Sequence, residues 1–143
     1  MRHDLQVTGI VDINVPSARV WDVMTNPEII KEYLFGTETV TDWKVGSELI
    51  FQGEYGETTY RDQGVILENI PGQVIVYTYW SGFSGLEDKP ENYNKVTYKI
   101  TAKGDNLTEL QWIQDGFANE EGYNHSLAGM PQFMDQIKGI AER

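Results

Sequence analysis

Proton-transfer chemistry near neutral pH needs a side chain whose pKa can be brought into that range, and this chain offers few. It has two histidines and no cysteine. His3 stands at the start and reads as solvent-exposed; His125, among Tyr123, Asn124 and Ser126, reads as a solvated or capping residue. Ser126 adjoins His125, but neighbouring side chains on a helix diverge by about 100°. A serine nucleophile with a histidine base is therefore rejected. Two distant histidines without a thiolate give no zinc-ligand spacing. Asp115, Glu120 and Glu121 fall near a helix start, where the dipole explains acidic residues. Glu87, Asp88 and Glu91 lack the ligand pattern of a calcium loop. Ser81-Gly82-Phe83-Ser84-Gly85 matches neither phosphate fingerprint and precedes no helix signal. No catalytic residue, metal or cofactor is assigned.

What the residues do offer is an aromatic set: Tyr33, Phe35, Phe51, Tyr77, Tyr79, Trp112 and Phe133, joined by Met130 and Met134. Taken singly, each reads first as core, since burying one such side chain contributes roughly 1.5–3 kcal/mol. Taken together, they suggest an apolar pocket. Buried tyrosines carry a hydroxyl that needs a partner, and thioethers adapt to varied shapes. Rings with a few polar tips are what a small hydrophobic or amphipathic ligand prefers.

The elements that would position these side chains are legible. Residues 3–15 alternate, with Leu5, Val7, Gly9, Val11, Ile13 and Val15 in phase, as in a half-buried strand. A short helix pair spans residues 17–34. Ser17 is placed to cap the first, Asn26-Pro27 separates them, and Pro27 suits the first turn of the second. Strands are expected over residues 37–43, 47–55, 58–70, 73–80, 92–103 and 107–117, each bounded by turn residues. Residues 81–91 form the longest irregular stretch. Leu127, Met130, Met134, Ile137 and Ala141 then recur at three and four, one face of a helix over residues 120–141. Pro131 predicts a break near Gly129-Met130. A single helix after antiparallel strands packs across the concave sheet face and can leave a cavity there.

Composition excludes several partners. The 143 residues suit one domain, residues 1–143. Net charge is −11, with no Lys/Arg cluster to displace counterions from nucleic acid or to hold an anionic membrane. No run approaches the roughly 18 apolar residues of a membrane span. The start, Met1-Arg2-His3-Asp4-Leu5, lacks a signal peptide's apolar stretch. With cysteine absent, the expectation is a cytoplasmic protein.

The order of several motifs resembles the START-like or Bet v 1-like (SRPBCC) superfamily. These are Pro16-x-x-x-Val20-Trp21, Thr25-Asn26-Pro27-Glu28, Tyr33-Leu34-Phe35-Gly36, Gly64-Val65-Ile66-Leu67-Glu68 and Gly129-Met130-Pro131-x-x-Met134-x-x-Ile137. Within it, the chain is most similar to the heat-shock protein 90 ATPase activator homologue-like family. The resemblance covers nearly the whole chain. It implies an α+β helix-grip fold, a seven-stranded antiparallel sheet wrapped round a long C-terminal helix with a cavity between them. Relatives often carry Trp where Met130 stands and His where Gln114 stands, so Gln114 joins the expected lining. It implies three functions: ligand binding in the cavity, a cyclase- or dehydratase-like reaction there, or a chaperone-binding module. A reaction would need an acid or base, for which Glu68, Gln114 and His125 are the sources.

Overall fold

The in-phase apolar residues pair into a single antiparallel sheet. The computed structural model describes residues Met1–Arg143. Its strands are β1 (Arg2–Ile13), β2 (Glu38–Val40), β3 (Glu48–Tyr55), β4 (Thr58–Ile70), β5 (Val74–Tyr79), β6 (Asn94–Gly104) and β7 (Leu107–Phe117). They lie in the order β1-β7-β6-β5-β4-β3-β2, so the chain's first two strands form the two edges. Helices α1 (Ser17–Thr25) and α2 (Pro27–Tyr33) follow β1, and α3 (Glu120–Ala141) ends the chain. This is the α+β helix-grip arrangement.

Register decides which residues meet. Tyr77 pairs with Val96, Val96 with Gln114, and Gln114 with Val7, giving one row across β5, β6, β7 and β1. The next row runs Ile75, Tyr98, Trp112, Gly9. At the other end, Thr39 pairs with Phe51 and Phe51 with Asp62. One face of these rows joins a cluster of 21 buried apolar side chains, with Met130, Met134, Ile137 and Ala141 supplied by α3.

Two glycines allow close approaches that no other residue would. A Cβ on Gly9 would stand 2.6 Å from Met130 Cγ and 2.9 Å from Met134 Cγ, so the bare backbone is what lets α3 settle on β1. A Cβ on Gly64 would stand 1.7 Å from the Thr78 carbonyl oxygen, where β4 meets β5.

Four local expectations are corrected. The helix runs through Pro131 without a break. Pro131 lies on the exposed face, and the carbonyl its missing N–H leaves free belongs to Leu127, which is itself 48% exposed rather than buried on the apolar stripe. The second strand stops at Val40, not residue 43, because Trp43 takes a left-handed backbone (φ 64°) that a strand cannot continue through. That turn lets the Trp43 indole donate to the Thr25 carbonyl at the end of α1 (3.0 Å) and its own carbonyl accept from Asn69 (2.8 Å). Ser17 is the first residue inside α1 and does not cap it; Pro16 precedes it with no side-chain bond. Asn26 does cap α2, accepting from Glu28 N. The irregular stretch from residue 81 holds two short 3-10 turns, Gly82–Ser84 and Pro90–Asn92, so that Asn92 belongs to a turn and not to the next strand; the Trp80 indole, donating to the Leu86 carbonyl, ties the stretch down.

Candidate ligand cavity

Between α3, the turn after α2 and the inner sheet face lies a cavity of about 320 Å³. β3 contributes Phe51, β4 Tyr60 and Asp62, β5 Tyr77 and Tyr79, β6 Val96, and β7 Trp112 and Gln114. Phe133 reaches in from α3, while Leu34, Phe35 and Thr37 come from the turn leading into β2. Inward alternation on five consecutive strands produces this wall.

Its rings form a connected chain. Phe51 lies against Tyr77 (6.0 Å between centroids) and Tyr79 (5.8 Å). Tyr77 meets Tyr98 edge-on, Tyr98 stacks on Trp112, and Trp112 meets Phe133 edge-on at 5.0 Å. Phe35 is different: it is 90% exposed, on a left-handed backbone (φ 54°), and stands at the rim. Tyr60 also shares a 2.5 Å hydrogen bond with Thr37 and lies 5.8 Å from Phe83, which brings the loop after β5 to the same rim.

Three polar side chains interrupt the apolar lining: Thr37, Asp62 and Gln114. Asp62 is 6% exposed. The Tyr79 hydroxyl donates to its Oδ2, and its Oδ1 has no hydrogen-bond partner. No Lys, Arg or His lines the cavity. Burial, with the Asp62 carboxyl beside it, pushes the Tyr79 phenol well above its ordinary value. Burial alone does most of this for Tyr33 and Tyr77.

Of the ten residues expected to line a pocket, seven do: Phe35, Phe51, Tyr77, Tyr79, Trp112, Gln114 and Phe133. Tyr33 sits behind the wall, edge-on to Phe133, with its hydroxyl turned away to the Val23 carbonyl (2.9 Å). Met130 and Met134 lie over Gly9 at the β1 side and border a separate groove beside Thr8–Val11. Glu68 faces outward and His125 is exposed, so neither reaches this cavity. Asp62 was missed. The signal was present, because Tyr60, Asp62, Gly64 and Ile66 share one phase of β4, the buried one from Asp62 onward. Nowhere in the molecule do three His, Cys, Asp or Glu side chains gather as a metal site would need.

The model of the family described as Activator of Hsp90 ATPase homolog 1-like protein matches residues 14–142. The chain belongs to this family. A solved structure of a protein from Cytophaga hutchinsonii is 36% identical to it, with a TM-score of 0.82 and coverage of 96% of this chain and 94% of that one. The family fold is shared by an HSP90 activator from Plasmodium falciparum at 17% identity, TM-score 0.73, covering 95% of both chains. It is also shared by a protein of the dynemicin biosynthetic locus at 14% identity, TM-score 0.72, over 93% of this chain and 45% of that one. Among curated proteins none matches. No helix of this member is long and apolar enough to cross a membrane.

Proposed function

We propose that this protein binds a small hydrophobic or amphipathic molecule in the cavity between α3 and the sheet, within one domain spanning residues 1–143. The observation that carries the reading is the lining: nine of twelve residues are hydrophobic, and the polar exceptions lie within the wall. A volume of about 320 Å³ holds a compact guest. Similarity to a protein from a biosynthetic locus supports small-molecule traffic as the setting. Native mass spectrometry of protein purified from its own host tests it directly, by a mass increment that disappears on denaturation. A thermal-shift screen against lipids and polyketide-like aromatics follows. If no guest co-purifies and no compound raises the melting temperature, the reading fails.

Asp62 favours a second reading, a cyclase- or dehydratase-like reaction in the same space. It puts a titratable group on the wall in contact with a phenol, which proton transfer to a bound molecule would need. Turnover abolished by Asp62→Asn with binding retained would support it. A chaperone-binding role rests on the family description and on the Plasmodium falciparum activator. A pull-down with the host's own chaperone separates that role from the other two.

A further inference from the structure

Aromatic faces, an under-used carboxylate and the absence of any cationic side chain occur together in this cavity. Seven of its twelve lining residues are aromatic, and ring faces attract positive charge. A carboxylate offers about four acceptor positions, of which the Tyr79 hydroxyl takes one. Oδ1 takes no bond at all, although Asp62 is 6% exposed. A buried carboxylate without a cation is costly, and proteins ordinarily supply an Arg or Lys beside it. Here no salt bridge involves Asp62; its register partner Phe51 and its hydrogen-bond partner Tyr79 bring only rings and one hydroxyl.

We infer that the guest is an amphipathic amine, its ammonium group beside Asp62 and its apolar body among Phe51, Tyr77, Trp112 and Phe133. This rests on the cavity being the binding site, and it narrows the chemical class of ligand. The ammonium supplies the missing counter-charge and a donor for the carboxylate. The rings at Phe51 and Tyr79 flank that position and add a second attraction for the same charge. A ligand ending in a carboxylate meets repulsion from Asp62 with no cation to relieve it. A neutral alcohol gains the hydrogen bond alone.

The test compares three probes of nearly equal size, naphthylmethylamine, naphthylmethanol and naphthoate, by titration calorimetry at neutral pH. The amine is expected to bind at least about tenfold tighter than the alcohol, and the carboxylate weakest. Raised salt should leave most of that preference, because a buried pair is screened little, whereas diffuse attraction to a surface of net charge −11 is lost. In Asp62→Asn the amine's advantage over the alcohol should fall below about threefold. Should the variant not fold, the ranking of the three probes on the wild-type protein and its salt dependence decide alone. Equal binding of amine and alcohol, loss of the preference in salt, or a preference surviving Asp62→Asn overturns the inference. Alcohol binding without an amine advantage leaves the container reading standing. Failure of all three probes, with no co-purifying guest, removes both.

Discussion

Asp62 accepts the Tyr79 hydroxyl across the β4–β5 pair, and this is the only hydrogen bond its carboxyl makes. Both groups sit in the wall of an apolar cavity. Asp62 therefore depends on Tyr79 for hydrogen bonding that water supplies at an exposed site.

Removing the hydroxyl tests that dependence. Tyr79→Phe keeps the ring against Phe51 but leaves a buried carboxyl with neither oxygen bonded. The expected cost is about 1–3 kcal/mol, read from urea unfolding. Asp62→Asn in the Tyr79→Phe background should restore part of it, because an amide is cheaper to leave unpaired than a carboxylate. No restoration would mean that the pair is not energetically coupled.

Alkali should unfold the protein through its buried phenols. Tyr33, Tyr77, Tyr79 and Tyr98 are all pushed above the ordinary value of 10.0, each chiefly by burial. Unfolding returns them to water. Above pH 10 the unfolded chain therefore holds fewer protons than the folded one, and stability falls as pH rises. Below pH 10 both states keep the proton, and the full contribution is present. Phenolate absorbance should rise together with loss of the far-ultraviolet signal; phenolate appearing in a still-folded protein would refute the coupling.

Filling the cavity should weaken the binding of any guest at modest cost in stability. Val96 is buried on β6 between Tyr77 and Gln114 in register, and it lines the space directly. Val96→Phe is expected to cost about 1–3 kcal/mol by overpacking and to weaken any guest seen with the wild-type protein by about tenfold or more. Undiminished affinity would move the site elsewhere.

Gly9 carries the contact between β1 and α3. Gly9→Ala puts a methyl group within 2.6–2.9 Å of Met130 and Met134, so these side chains must move from their seat on β1. A loss of about 1–3 kcal/mol is expected in chemical unfolding, with Met130→Ala in the same chain recovering a share of it. Additive effects of the two substitutions would disprove the contact.

Strand alternation made the sheet readable from the sequence, and the inward faces of five of its strands gave most of the lining. What alternation does not carry is which part of the sheet the final helix covers. Met130 and Met134 fall on the expected helical face, yet their partner is Gly9 on an edge strand rather than the cavity. Tyr33 has the residue type of a lining group, but a backbone carbonyl ten residues earlier captures its hydroxyl. Asp62 escaped notice because a carboxylate in an apolar phase is rare and the chain has 22 acidic residues to hide it among. Trp43 and Pro131 show local rules yielding to context: one leaves the strand to close a helix end, and the other sits where solvent can serve the freed carbonyl.

The bare backbone at Gly64 has a bearing on inheritance as well as on shape. It stands two positions from Asp62, and the carbonyl pressed against it belongs to the residue just before Tyr79. Any side chain there would wedge the two strands apart and draw the phenol out of reach of its acceptor. A mutation outside the pocket lining can thereby disturb its wall, and a lineage that keeps the Asp62–Tyr79 hydrogen bond is expected to keep this glycine too.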